Sequence, residues 1–468
     1  MKLKPIITSV SIYAMLFALT LIIPIAVAIY YQESFDTFYK LMLGIFLVAT
    51  PLYYSGKQTT NELNRIDGFL LIIFTWLILC AIAAIPFLVT LDNASYVDSW
   101  FEAVSGLTTT GAEVFQIDQW PNSLKIYHQF LQFLGGLGII VLGIAIMPLL
   151  GNNASTLLDT EHSVQKEQRI TPRISKAAKQ LWKLYLTMVI LSAFCYKFAG
   201  LTWFDAWSYS FTTFSTGGFG IYSDSIMHYN SNLVSVVACI FALLGSLNFT
   251  IIFTAIRQKQ IMTALKFPET KMLAKYIVFI SFIVVINSIR LSNQTSILNS
   301  VGSVIMMITT TGLQVANISQ WPSFLSHLVL TIAVIGGSSC STTGGIKMAR
   351  IISIQKEISA LFKQLLHPRA ISSNLKTNSL IHGFIALNII VYLISILLML
   401  DMGYSLESAF AGVTACLTNV GMSIGKLSNG YQNLSNAAKW LLSFLMLIGR
   451  LEATTILIVL SPFFWQEI

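Results

Sequence analysis

Four short polar stretches interrupt an otherwise apolar chain, and their chemistry is that of main-chain oxygens rather than of reactive side chains. The first is Leu107-Thr108-Thr109-Thr110-Gly111-Ala112, and Ile308-Thr309-Thr310-Thr311-Gly312-Leu313 nearly repeats it. Ser215-Thr216-Gly217-Gly218-Phe219 and Thr418-Asn419-Val420-Gly421-Met422 are looser echoes. Glycine permits backbone geometries that aim consecutive carbonyls at one point, which a side chain would hinder. A ring of such carbonyls replaces the hydration shell of a cation and selects by cavity size or by field strength and number. No carboxylate stands in any of the four stretches, and this chemistry needs none.

The spacing makes the four stretches equivalent. Gly111, Gly218, Gly312 and Gly421 follow one another at intervals of 107, 94 and 109 residues. Asp98 and Asp205 lie 13 residues before the first two glycines, and Trp100 and Trp207 lie 11 before. The same offset gives Val301 and Phe410 in the other two copies. Gln119-Trp120-Pro121 and Gln320-Trp321-Pro322 each begin 8 residues after their glycine. Gly135-Gly136 and Gly336-Gly337 each begin 24 after. Agreement on both sides indicates a fourfold internal repeat.

The elements that carry these stretches must cross a membrane. Apolar residues make up 55% of the chain and charged residues 10%, against about 25% charged in an ordinary soluble domain. The net charge of +8 is not a nucleic-acid footprint, because most of the Lys and Arg fall at one end of alternate apolar segments, as the positive-inside rule expects. The apolar run from Ile6 to Tyr31 is too long for a signal peptide and reads as an uncleaved first span. Five scattered cysteines and six dispersed histidines offer neither a disulfide framework nor a metal-ligand spacing.

Taken in order, residues 6–31 and a shorter segment at 40–54, broken near Pro51, form an amino-terminal hairpin (1–66) outside the repeats, with Lys57 and Arg65 inside. Repeat one (67–180) sends 68–90 outward, folds 96–108 as a helix too short to cross, and returns through 122–150. Repeat two (181–275) uses 181–201, 204–215 and 232–256. Repeat three (276–377) uses 276–291, 296–308 and a return from Ser323. Repeat four (378–468) uses 379–400, 406–417 and 437–464. A half-length helix followed by open polar backbone is a re-entrant pore loop, tolerable in lipid only where it faces protein or water. The inside loops carry Lys166, Arg169, Arg173, Lys176 and Lys179, then Arg257, Lys259, Lys266, Lys271 and Lys275, then Lys356, Lys363, Arg369 and Lys376. All land on one side, so the repeats are parallel. The expected architecture is an all-α polytopic membrane protein, with four span–pore-helix–span repeats around a pseudo-fourfold axis.

Two return segments are unusual. Residues 335–345, Ile-Gly-Gly-Ser-Ser-Cys-Ser-Thr-Thr-Gly-Gly, interrupt the third one. Two glycine pairs and a Ser/Thr run favour an unwound loop below the filter, placed to obstruct a pore. Arg450 and Glu452 lie mid-span in the fourth, where charge is costly and usually functional. Arg450 can bind the carbonyls of the broken loop, place a positive barrier near the path, or pair structurally with Glu452 or another acid. Lys347 and Arg350 mark the inner end of the broken helix. Glu113, Asp118 and Asp224 lie toward the outer mouth, where they would concentrate cations or be merely solvated. An intramembrane enzyme using Ser338, Cys340 or Ser341 as nucleophile, with His327 as the base near it in sequence, leaves the four repeats unexplained.

These features together resemble the Trk/Ktr/HKT superfamily of cation transporters. They are the single-glycine stretches, the Gly-Gly…Ser-Thr-Thr-Gly-Gly-Ile-Lys run at 336–347, and Arg450. The amino-terminal hairpin makes the chain similar to the TrkH/TrkG branch rather than to the Ktr branch. The resemblance implies potassium uptake across a bacterial cytoplasmic membrane, with potassium as cargo and no organic cofactor. It implies a homodimer with one pore per protomer, a surrounding of membrane lipids, and a gating partner made of cytosolic nucleotide-binding (RCK-type) subunits. It assigns the filter to Thr109, Thr110 and Gly111; Thr216, Gly217 and Gly218; Thr310, Thr311 and Gly312; and Asn419, Val420 and Gly421. It assigns the gate to the loop bounded by Gly336, Gly337, Gly344 and Gly345, with Lys347 and Arg450. Adjacent glycines leave the second filter turn open to a one-residue slip. Coupling to sodium or protons, or a less selective conductor of sodium or ammonium, would carry a similar filter.

Overall fold

The computed structural model describes residues 3–56, 65–146, 170–290, 296–367, 379–428 and 430–466. Lys57, Lys166, Arg169, Arg369 and Lys376, expected to mark the inside loops, lie outside the described residues. Secondary structure in the described residues is helical. Among them, six helices are long and apolar enough to cross a membrane: Leu3–Tyr30, Asp36–Gly56, Ile66–Thr90, Ala178–Phe198, Pro268–Arg290 and Ile381–Asp401. The protein is a multi-pass membrane protein of four parallel repeats around a pore, with the hairpin packed outside.

Each repeat contains one half-length helix: Tyr96–Leu107, Trp203–Phe214, Ile297–Ile308 and Leu406–Leu417, all of 12 residues. At 1.5 Å per residue, each is about 18 Å long, short of the ~30 Å of hydrocarbon. Their starts are set by one device. Ser95, Thr202, Ser296 and Ser405 each accept a hydrogen bond on the side-chain oxygen from the backbone N–H three residues on. Such a cap contributes about 1 kcal/mol. All four caps stand 16 residues before the equivalent glycine of their repeat, Gly111, Gly218, Gly312 and Gly421, so helix length and the position of that glycine are locked together.

The half-helices are buried because the return helices wrap them. A Cβ on Gly135 would strike the Leu107 carbonyl, one on Gly245 the Phe214 carbonyl, and one on Gly449 the Leu417 carbonyl. In three repeats, then, a glycine lets the return helix lie directly on the last residue of the half-helix.

Two expectations and one of the alternatives for Arg450 need correction. The second hairpin helix does not break at Pro51, since Asp36–Gly56 is continuous with the proline inside it; a membrane helix tolerates proline where neighbouring groups re-satisfy the freed carbonyl. The second return segment is not one span. Asn232–Ser246 and Phe249–Arg257 meet at 95°, because Asn248 caps the second piece through Oδ1, accepting from Thr250 N (3.0 Å) and Ile251 N (3.3 Å). Finally, Glu452 pairs with Arg350 (2.8 Å) and not with Arg450. Glu452 sits at φ 65°, where the fourth return helix stops at Leu451 before Ala453–Leu460 resumes.

The hairpin does more than flank the four repeats. Glu33, in its turn, accepts from Asn122 N (2.7 Å) and Ser123 N (2.8 Å), holding the first turn of the repeat-one return helix.

Candidate ion-conducting site

The four polar stretches share one backbone path. Thr109, Thr216, Thr310 and Asn419 all take left-handed conformations, with φ of 51°, 53°, 51° and 54°. Two residues later Gly111, Gly218, Gly312 and Gly421 do the same, at 82°, 91°, 70° and 69°. Non-glycine residues are uncommon there, and four equivalent ones identify a repeated turn. The pattern aligns Gly218, not Gly217, with the other three glycines and removes the one-residue ambiguity of the second stretch.

These turns meet. A Cβ on Gly111 would collide with the Gly217 carbonyl oxygen, one on Gly218 with that of Thr311, one on Gly312 with that of Val420, and one on Gly421 with that of Thr110. All four approaches are closer than 3.0 Å, which real Cβ atoms essentially never show. The sequence of contacts runs from repeat one through two, three and four and back to one. It is a closed ring of four glycines, each against the carbonyl that precedes the next. The half-helices end at this ring, and their C-terminal ends carry partial negative charge.

Outside the ring is a cavity of about 410 Å³, lined by all four ring glycines. Glu113, Asp118 and Asp224 line it. Glu113 is tied into the structure: its Oε1 accepts from Gly220 N (3.3 Å) and its main-chain oxygen accepts from Tyr431 N (2.8 Å). Asp118 Oδ1 accepts from Ser223 N (3.0 Å). Burial pushes the Asp118 carboxyl up, but the Ser223 N–H and hydroxyl, with the Lys125 and His228 charges, outweigh it and hold the group below the usual range.

Inside the ring lies the broken loop. Helix Ser323–Ile332 stops, and Met348–Leu366 begins after Lys347. Gly336, Cys340, Gly345 and Lys347 all have positive φ. The loop is fastened to every repeat. Ser338 N donates to Ser246 O (2.9 Å), Thr342 N to Gly245 O (3.3 Å), and Phe249 N to Cys340 O (3.2 Å), all in repeat two. Thr216 donates its hydroxyl to Thr342 Oγ1 (3.1 Å). Gly344 N donates to Thr310 Oγ1 (2.8 Å), under the third filter turn. A Cβ on Gly344 would strike the Thr418 carbonyl of the fourth. Gly337 N donates to Thr343 Oγ1 (3.2 Å), and Lys347 Nζ donates to the Thr343 carbonyl. Arg450, buried, donates through Nη1 to Thr342 O and through Nη2 to Gly135 O (3.1 Å), tying the loop to repeat one. Arg450 is thus a main-chain clamp, while Arg350 and Glu452 form the ion pair.

Residues 33–467 match the family model described as TrkH, cation transport protein. The chain belongs to the TrkH family. It is 32% identical to the Trk system potassium uptake protein TrkH of Halomonas elongata over 100% of both chains. It is equally similar to that of Escherichia coli strain K12. TrkG of Escherichia coli is 32% identical over 97% of this chain and 96% of its own. The crystal structure of the potassium transporter TrkH from Vibrio parahaemolyticus superposes with a TM-score of 0.91 at 32% identity, over 99% of this chain and 100% of that one. Within this TrkH-family frame the structure adds residues that the repeat pattern does not show. Gln129 Nε2 donates to Gly220 O. Gln132 contacts the second filter turn. His128 Nε2 and Glu102 Oε1 are 2.7 Å apart, and Glu102 Oε2 accepts from Val114 N (2.8 Å). Tyr431 donates its hydroxyl to Gly421 O (2.9 Å), and Asn419 Nδ2 donates to Thr110 Oγ1 (3.0 Å) and Met446 O (2.9 Å). One signal was available. Lys125, His128, Gln129 and Gln132 fall at i, i+3, i+4 and i+7 of an apolar return helix, a polar stripe that must face protein.

Proposed function

We propose that this protein takes up potassium ions across the cytoplasmic membrane, through a filter formed by the four turns at 109–111, 216–218, 310–312 and 419–421. The supporting observation is the closed ring of glycine-to-carbonyl contacts. Carbonyl oxygens at such a ring suit a weakly hydrated monovalent cation, and no carboxylate is required. The name potassium uptake protein, borne by relatives that align end to end, favours potassium as cargo. The loop from Gly336 to Gly345, held by Arg450 and joined to Lys347, acts as the gate beneath the filter. The functional units are the hairpin, 1–66, and the four quarters 67–180, 181–275, 276–377 and 378–468.

The assembly is a homodimer with one pore per protomer, regulated by cytosolic nucleotide-binding subunits of the RCK type. The word system in the relatives' names supports a partner. On the expected inner side, Lys266, Lys271, Lys275, Lys356 and Lys363 surround a cavity of about 1000 Å³, which supplies charge for docking one.

The test is ion selectivity. Gly312→Ser protein in vesicles, with potassium and sodium fluxes measured separately, should lose discrimination between the two ions. An unchanged flux ratio rejects the filter. Reversal potentials under imposed sodium and proton gradients separate simple conduction from coupled symport.

A further inference from the structure

The second filter turn differs from its counterparts in having glycine where repeats one and three have threonine. Thr110 and Thr311 bond their hydroxyls to Thr108 (2.7 Å) and Thr309 (2.8 Å), side chains on the C-caps of their own half-helices. Each turn is thereby closed against the helix that delivers it. Gly217 has no hydroxyl to do this.

Its place is taken by a side chain from another repeat. Gln132, on the return helix of repeat one, is fully buried. A Cβ on Gly217 would fall on Gln132 Cδ and Oε1, so the glutamine fills the volume a threonine would occupy. Its polar atoms serve both ends of the turn. Nε2 donates to the Gly217 carbonyl (2.7 Å). Oε1 accepts from the Thr212 hydroxyl, in the half-helix, and from Phe219 N (3.2 Å), just past the filter glycine. The Gly217 carbonyl is also the oxygen against which Gly111 rests. One side chain thus spans the half-helix, the turn and the seam between repeats one and two.

We propose that Gln132 is a positioning residue for ion selection, which sets the Gly217 carbonyl in the ring and replaces the hydroxyl pair of turns one and three. This rests on the filter reading above. A carbonyl has two lone pairs, so the Gln132 bond leaves one free for a cation. Gly217 lies outside the positive-φ set, so a side chain there meets the glutamine rather than the backbone. Gln132 and Gly217 are therefore a complementary pair, large opposite small.

The experiment uses the full chain in vesicles, with potassium and sodium fluxes measured separately for Gln132→Ala, Gly217→Thr and the double variant, beside Gly312→Ser. Each single substitution should shift the potassium-to-sodium ratio by about tenfold, the equivalent of roughly 1.4 kcal/mol between the ions. Gln132→Ala frees the carbonyl, and Gly217→Thr expels the glutamine. The double variant should recover much of the ratio, because a threonine at 217 can bond the Ser215 hydroxyl once the glutamine is gone. If Gln132→Ala fails to assemble, the double variant against Gly217→Thr alone gives the same answer. Wild-type ratios in both single variants, or a double variant no better than the worse single one, overturn the proposal. Gly312→Ser separates the two ideas: if it too is silent, the filter reading has failed, and if it alone shifts the ratio, only the role of Gln132 has.

Discussion

Gly421 rests against the carbonyl oxygen of Thr110, which joins the last filter turn in the chain to the first. Without this contact the turns would form an open row. With it, each glycine supports the next repeat's carbonyl, and no member of the ring is peripheral.

Gly421→Ser should therefore damage selectivity as much as Gly111→Ser does, although the fourth turn, Asn419-Val420-Gly421, departs furthest from the threonine pattern. Both φ values are positive, 69° and 82°, and both Cβ positions are occupied by neighbouring carbonyls. We expect a loss of about tenfold or more in potassium-over-sodium flux ratio for either variant, or roughly 1.4 kcal/mol. Separate tracer fluxes in vesicles check this. A Gly421→Ser protein with normal discrimination would mean that repeat four only closes the wall.

Arg450→Ala should loosen the loop. The guanidinium bridges Thr342 O and Gly135 O, and a hydrogen bond to a charged group contributes about 1.5–3 kcal/mol. Losing even the lower value raises the population of a displaced loop by about tenfold. Rubidium uptake without regulatory partners should rise accordingly, at equal protein level. Arg450→Lys, with one donor group in place of a fork, should fall between. Flux that stays at the wild-type level in Arg450→Ala would remove the clamp from the gating account.

Asp118→Asn tests the mouth. The carboxyl sits below the usual aspartate range, so it is ionised above that range and loses its charge only as pH falls below it. Between mildly acid and neutral pH, its contribution to cation capture should be constant. The asparagine variant should reduce initial uptake at low potassium by about twofold to threefold, and added salt should erase the difference, since screening acts within about 10 Å at 0.1 M. A deficit that persists at high ionic strength would point instead to lost structure at the Ser223 bond.

Much of this molecule was legible because its constraints are local and repeated. Gly111, Gly218, Gly312 and Gly421 must be glycine for reasons of backbone space, and a fourfold need writes the same residue four times. The half-helices were visible because a helix of 12 residues is too short to cross a bilayer. The capping residues Ser95, Thr202, Ser296 and Ser405 keep a stricter spacing than any motif used to find the repeats, yet single hydroxyl residues do not stand out in a chain with many. The 95° bend was overlooked because Asn232–Arg257 is long enough for one span, although Gly245-Ser246-Leu247-Asn248 interrupts its apolar run and Asn248 caps the second piece. Glu452 offered itself as one alternative partner for Arg450 by proximity in sequence. The helix stop between them sends the two side chains to different neighbours. Gln132 was missed because it compensates for an absence in another repeat, and a deficit at Gly217 points to no particular place elsewhere.

Between the loop and the bent helix of repeat two, residues 338–341 contribute peptide-to-peptide bonds, Ser338 to Ser246 and Phe249 to Cys340, while Thr342 bonds the Gly245 carbonyl through both its N–H and its hydroxyl (3.0 Å). Peptide groups are blind to substitution. Changing residues 338–341 one at a time would trim side chains while leaving those peptide-to-peptide bonds whole, so a barrier made this way tolerates drift in its own composition. Its weak points lie at a distance, in the asparagine that turns the partner helix and in the arginine that grips from the far side.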